Sequence, residues 1–152
     1  MTVTYHPGVS PAPPRDSAAI SPRVRAYLEQ PRFAVVATIN PDGSPHTAVV
    51  WYLLDDDAIV INSAEGRRWP SNLRRDPRIS VAVEDGLYWV SLRGEVEIID
   101  DQPQAQADIA AMAYRYESRA EAERIIRDQF TRQQRVSFML RPTSVHAELE
   151  GD

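Results

Sequence analysis

From residue 33 onward the apolar residues fall into short runs separated by turn formers. "FAVVATI" (33–39) is rich in β-branched residues and leads into "NPDGSP", where Pro41, Asp42 and Gly43 supply turn chemistry. "HTAVVWYLL" (46–54), the acidic turn Asp55–Asp57 and "AIVIN" (58–62) come next. Two hairpins with tight turns predict an antiparallel meander. The middle run carries His46, Ala48, Val50, Tyr52 and Leu54 on one face and Thr47, Val49, Trp51 and Leu53 on the other. Both faces are mainly apolar. A strand with one wet face should alternate with polar residues, so a core covers one side here and a ligand or a second subunit the other.

Two further strands follow, "RISVAVE" (78–84) and the long "LYWVSLRGEVEII" (87–99). In the long one the even positions Tyr88, Val90, Leu92, Gly94, Val96 and Ile98 form the predicted core face. Gly94 marks a bulge or bend of the kind a closing barrel needs. Trp89 falls on the polar face, either as a lone surface residue or within a contact surface; tryptophan is favoured in the latter. Helical signals frame these strands. Ser21-Pro22 places a cap and a first-turn proline before Val24, Tyr27 and Leu28, and Pro31 ends that helix. Over 101–130, Asp101-x-x-Gln104 and Ser118-x-x-Glu121 open two more helices as capping boxes. "RVSFMLRPTSVHAEL" (135–149) reads as one or two strands broken near Pro142. Residues 1–20, with four prolines and few large apolar side chains, read as an extended arm. The expectation is one α+β domain over 21–152, with six or seven strands in a small antiparallel barrel and three or four short helices.

Composition removes whole classes of chemistry. The 152 residues contain no cysteine, so disulfides and thiol catalysis are excluded. All 17 basic residues are arginine, which rules out a Schiff-base lysine. His6, His46 and His146 form no metal motif, and no metal site is expected. A net charge of −5 argues against nucleic acid as a partner. No apolar run is long enough to span a membrane and no signal-peptide core opens the chain, so a soluble cytoplasmic protein is expected.

Against that acidic background, "EGRRWPSNLRRDPR" (65–78) concentrates five arginines. Pro70 is tolerated only in a first turn and Pro77 forces the residue before it out of the α region, so the block holds one short helix. Arg74 and Arg75 fall in its last turn, where cations offset the helix dipole by about 0.3–1 kcal/mol. Arg67 and Arg68 fall at its start, where cations oppose the dipole. Two readings stand for that pair: a phosphate site built on free N–H groups and guanidinium forks, or solvated arginines paired with Glu65 or Asp76.

The succession "ATINPDGSPHTAVVWYLLDDDAIVINSAEGRRWPSNLRRDPRISVAV", then "WVSLRGEVEII", resembles the pyridoxamine-phosphate-oxidase-like flavin and deazaflavin oxidoreductases. The likeness runs over about residues 25–149 and lies in order and spacing. "SAEGRR" and "NLRRDPR" are most similar to the branch that uses the deazaflavin coenzyme F-420. The resemblance implies a split β-barrel homodimer with its cofactor in an interface groove. It implies that Val49, Val50 and Trp51 run along the ring system and that Asn62 and Ser63 reach the ring edge or ribityl chain. Arg67, Arg68 and Asn72 would then hold the phosphate, and Trp89 would come from the second subunit. The family often has a lysine three residues before the asparagine of "NL"; here that position is Trp69. Either Arg67 and Arg68 take over its charge, or the pocket takes a different cofactor. The expected activity is F-420-dependent hydride transfer to an activated double bond of a small-molecule substrate, with an FMN enzyme or a non-catalytic cofactor carrier as alternatives. No catalytic residue is assigned: Tyr52 and His46 could donate a proton, but the alternation sends both to the core face.

Overall fold

The computed structural model describes residues 18–152. The arm expected over 1–20 lies almost wholly outside them. Where the description begins, Ala18 donates its N–H to the Pro142 carbonyl at 2.8 Å and Ile20 is already buried in the core.

Helix α1 (Pro22–Leu28) starts as its signals predict, with the Ser21 side chain accepting from the Val24 N–H. Eight strands follow its end: β1 (Ala34–Ile39), β2 (Pro45–Val50), β3 (Tyr52–Asp55), β4 (Ala58–Ala64), β5 (Arg78–Glu84), β6 (Trp89–Ile99), β7 (Arg135–Leu140) and β8 (Ser144–Glu148). Between β4 and β5 lies α2 (Arg68–Arg75); between β6 and β7 lie α3 (Gln102–Tyr116), α4 (Arg119–Asp128) and a 3-10 turn, Phe130–Arg132. Asp101 and Ser118 cap α3 and α4 by accepting from the N–H groups three residues on. Among the described residues no helix is long and apolar enough to cross a membrane.

All pairings are antiparallel, in the order β2-β1-β5-β6-β7-β4-β3, with β8 also on β6. This is an α+β split barrel made of two sheets. One holds β2, β1, β5, β8 and the first half of β6; the other holds β3, β4, β7 and the second half of β6. The chain passes between the sheets at three corners. The first is Trp51, which splits the run read as one strand into two: Val50 still pairs with Ala34, whereas Tyr52 pairs with Ile61. The alternation continues unbroken through this corner, so the pattern concealed the change of partner, and eight strands stand where six or seven were expected.

The second corner is Gly94. A Cβ there would lie 3.0 Å from Leu140 Cδ1 and 3.3 Å from both the Arg141 carbonyl oxygen and the Thr143 nitrogen. The third corner, the β7–β8 turn at Pro142, crosses over β6 at this spot, and only glycine leaves it room. Past Gly94 the expected core face ends early. Ile98 is 36% exposed because β5 stops opposite Glu95, while Ile99 packs toward α3.

The barrel interior is filled by Val36, Val50, Tyr52, Ile61, Val81, Leu92 and Phe138, and α1 contributes Val24 and Leu28. Tyr52 is fully buried as expected, its hydroxyl donating to the Leu28 carbonyl at 2.8 Å; His46 is only half-buried, because β2 is an edge strand. A second core lies outside the barrel, where Ile109, Met112 and Ala113 of α3 cover Ala58, Val60 and Met139. Strands β4 and β7 are therefore buried along their whole length, on both faces.

Candidate functional site

The double burial of β4 and β7 decides which polar side chains meet. On β4 the odd positions Ile59 and Ile61 point into the barrel, and the even positions Ala58 and Val60 point toward α3. Asn62 continues the α3 side and Ser63 the barrel side. On β7, Ser137 is the cross-strand neighbour of Asn62, and Arg135 pairs with Ala64. Asn62, Ser137 and Arg135 thus share a face with Asp108 and Gln104 of α3. All but Gln104 are more than nine-tenths buried.

A cleft of about 260 Å³ opens at the end of this layer. Five residues singled out by the resemblance line it: Val49, Val50, Trp51, Asn62 and Arg67. Arg135, Phe130, Met112 and Phe33 complete the wall, with Trp69 at its base. The Trp51 ring is stacked on Tyr116, the last residue of α3, at 5.2 Å and 4° between planes; Tyr116 in turn stacks on Phe33 at 5.8 Å. The Tyr116 hydroxyl donates to the Arg32 carbonyl at 2.6 Å, which fixes the stack against the start of β1.

Four expected site residues lie elsewhere in the single chain. Ser63 is fully buried on the barrel side, its hydroxyl on the Ala64 carbonyl. Asn72 is buried and committed: its amide donates to Thr38 Oγ1 and Asn40 Oδ1 at 3.1 Å each, tying α2 to β1. Arg68 is the first residue of α2 and exposed, with its charge felt at Asp42. Trp89 opens β6, 39% exposed on the outer face of the other sheet.

The arginine block divides as its prolines predict. Helix α2 starts at Arg68 and stops at Arg75, and Gly66, at φ +90, turns the chain from β4 into it. Arg74 is tied to Glu65 and to Asp100. Arg75 donates to the Ile39 carbonyl, and Arg78 binds Asp76 at 2.7 Å. The two carboxylates that could have neutralised the N-terminal pair are thereby taken by other arginines. Among the described residues neither Arg67 nor Arg68 forms a salt bridge, and no side chain caps the α2 N-terminus. Trp69, where the family often has lysine, is 6% exposed and packs on Phe138 at 5.5 Å between ring centroids. It anchors the helix start to the core.

Arg135 escaped the sequence reading. It sits outside the arginine block and far from it along the chain; its only signal was the alternation Arg135, Ser137, Met139 on one face of a strand with no wet side. It is 3% exposed. Burial, and behind it the nearby Arg67 charge, push its guanidinium down to about 10, still cationic at neutral pH. Two cations therefore face a cleft whose lining has no carboxylate. Chemically, such a cleft suits a flat apolar body with an anionic end. A larger, more open groove of about 380 Å³ runs past Gly94 on the other side of the barrel, but its Arg78 is already tied to Asp76.

Solved structures share this fold. The conserved hypothetical protein Rv2991 from Mycobacterium tuberculosis matches with a TM-score of 0.68 at 23% identity, over 88% of this chain and 87% of that one. An F420 reductase matches at 0.64 and 24% identity, over 80% and 94%. HutZ, a heme storage protein from Vibrio cholerae, matches at 0.65 and 16% identity, over 85% and 94%. At these identities the likeness is one of fold. The family model described as pyridoxamine 5'-phosphate oxidase matches residues 20–147, nearly the whole barrel, and the chain belongs to that family.

Proposed function

We propose that the protein is an oxidoreductase that uses the deazaflavin coenzyme F-420, with FMN as the alternative, to reduce an activated double bond of a small-molecule substrate. The observation that carries this reading is the cleft: an aliphatic and aromatic wall, Val49, Val50 and Trp51, leads to two arginines unopposed by any carboxylate in the lining. Flavins and deazaflavins have that polarity, a flat ring at one end and a phosphate at the other, so the residues present fit the group. Among the described residues no histidine lines the cleft, which favours this class over a heme.

The cofactor class supplies hydride chemistry when bound. The chain supplies binding, orientation and a dry site. Val49 and Val50 would lie along the ring, and the Trp51–Tyr116–Phe33 stack makes that wall rigid. Asn62 would present its amide at the ring edge or ribityl chain. Arg67 would hold the phosphate, with the neighbouring exposed Arg68, outside the lining, adding its charge. Two features support a homodimer. The cleft is smaller than a usual cofactor site, which encloses about 300–1,000 Å³. The outer face of the β2-β1-β5 sheet exposes Phe33, Val35 and Val49, with Trp89 beyond them, an unusual amount of apolar surface for a free face. A second copy would cover that face and deepen the cleft, bringing its own Trp89 to it.

Titration with F-420 and FMN side by side tests the reading. Oxidised F-420 fluorescence should be quenched on binding, and Arg67→Ala/Arg68→Ala should weaken binding by about tenfold to a hundredfold. Unchanged affinity in the double variant would remove the phosphate assignment, and no response to either cofactor would remove the function. Binding without oxidation of reduced F-420 by any of a panel of enones and quinones would make the protein a carrier instead.

A further inference from the structure

Arg135 is a buried cation with only neutral partners. Its Nε donates to Asn62 Oδ1 at 2.9 Å and its Nη1 to Gln133 Oε1 at 2.5 Å. Its guanidinium lies over the Phe130 ring, 4.9 Å from the centroid. Among the described residues it has no salt bridge, and its Nη2 has no acceptor. A buried charge without a counter-charge is costly, and proteins keep one where a ligand supplies the missing partner.

The surroundings hold Arg135 in one pose. Gln102 grips its backbone, donating to the Arg135 carbonyl at 2.6 Å and accepting from its N–H at 2.9 Å. The side chain is held by a chain of hydrogen bonds that all run one way. Arg135 Nε donates to Asn62 Oδ1, Asn62 Nδ2 donates to Ser137 Oγ at 2.9 Å, and Ser137 Oγ donates to Asp108 Oδ2 at 2.6 Å. Asn62 Nδ2 also donates to the Ala105 carbonyl at 2.9 Å, and Gln104 donates to Asp108 Oδ1 at 2.8 Å. Each link fixes the next. The Ser137 hydroxyl donates its one hydrogen to Asp108, so Ser137 must accept from Asn62. Asn62 must then turn its oxygen, not its nitrogen, toward Arg135. A buried carboxylate and a buried guanidinium are thus connected through two neutral side chains and never form an ion pair. A direct pair would satisfy Arg135 and close it to any other anion.

We propose that Arg135 is the inner half of an anion clamp, with Arg67 the outer half, that binds the phosphate group of the cofactor, and that Asn62, Ser137 and Asp108 are positioning residues that orient it. This rests on the reading of the cleft as a cofactor site, and it adds a binding residue contributed by β7, far along the chain from the arginine block.

The decisive variant is Gln133→Glu. Gln133 is half-exposed and already accepts from Arg135. A carboxylate of the same shape would pair with Arg135 permanently. The full-length protein, Gln133→Glu, Arg135→Gln and the surface control Arg127→Gln are titrated with inorganic phosphate, FMN and F-420, following heat of binding and thermal melting. Gln133→Glu should melt at the wild-type temperature or higher yet bind phosphate and cofactor about tenfold to a hundredfold more weakly. Arg135→Gln should weaken both to a similar degree, and Arg127→Gln should match wild type. Ser137→Ala should bind more weakly, with Ser137→Thr, which keeps the hydroxyl, restoring affinity. Wild-type protein that ignores inorganic phosphate, or affinities of Gln133→Glu and Arg135→Gln within twofold of wild type, would overturn the clamp. If F-420 and FMN both fail to bind while phosphate still does so in an Arg135-dependent way, the cofactor reading falls and the clamp stands.

Discussion

Arg74 and Arg135 carry the same cation into opposite situations. Arg74, at the C-terminal end of α2, is partly exposed and bonded to two carboxylates, Glu65 and Asp100, which hold its proton more tightly than usual. Arg135 is buried beside the N-terminal end of the same helix with two amide oxygens for partners. In the dense block of charge visible in the sequence, Arg74 and Arg78 are paired with carboxylates and Arg75 is bonded to a backbone carbonyl. Of the two cations that line the cleft, Arg67 stands at the N-terminal end of that block and Arg135 lies outside it. Environment, not the local density of charge, separates Arg74 from Arg135.

Several changes would break or sharpen this contrast. The largest effect belongs to Trp69, which fastens the N-terminal end of α2 to Phe138. Trp69→Ala should cost about 3–5 kcal/mol in a urea titration, from lost burial plus the cavity left behind. A loss under about 1 kcal/mol would mean that the helix start is held by something else.

An intermediate effect should appear in acid, with opposite signs for two aspartates. Burial pushes the Asp108 carboxyl above its usual range, against the bonds from Ser137 and Gln104 that favour its charged form. Its folded state binds a proton that the unfolded state has already released. Stability should therefore fall as pH rises from about 4 through the raised pKa. Thermal melts of Asp108→Asn should lack that fall. Asp76 is the reverse: the Arg78 side chain depresses its carboxyl to about 2. Its contribution is present above about pH 4 and is lost as pH drops toward the depressed value. Asp76→Asn should flatten that acid-side loss, and a slope in the same sense for both aspartates would contradict the assignment.

The smallest effect is expected at Arg74 itself. Its ion pairs are solvent-exposed, so Arg74→Gln should cost about 0–1 kcal/mol and less still at high salt. A cost of several kcal/mol would erase the distinction between the two arginines.

What could be read from the sequence follows from where the information lies. The strand read at 78–84 is β5, and it alternates exposed and buried at every residue, in step with the apolar positions of "RISVAVE". The limits of α2 were legible because Pro70 and Pro77 act locally on the backbone. The corner at Trp51 was not, because a strand that changes partner without changing its alternation leaves no mark in hydropathy. Val49, Val50, Trp51, Asn62 and Arg67 were named through resemblance and meet at one cleft. Ser63 was named beside Asn62, yet adjacent residues on a strand face opposite ways. Arg135 and Tyr116 reach the cleft only through tertiary structure, the one through the pairing of β7 with β4 and the other through the docking of α3.

The three corners also bear on how the protein folds. Because β2 and β3, the halves of β6, and β7 and β8 each continue from one sheet into the other, neither sheet has a self-contained stretch of chain. The closing pairs join distant segments: β1 with β5, β4 with β7, β6 with β8. Such a topology must close long loops before its contacts reward it, so folding should run on the milliseconds-to-seconds scale of non-local β architectures. Arg135 and Asn62 come together only at the β4–β7 closure. The proposed clamp would therefore exist only once that long loop has closed, and a chain that has not paired β4 with β7 would have none to offer.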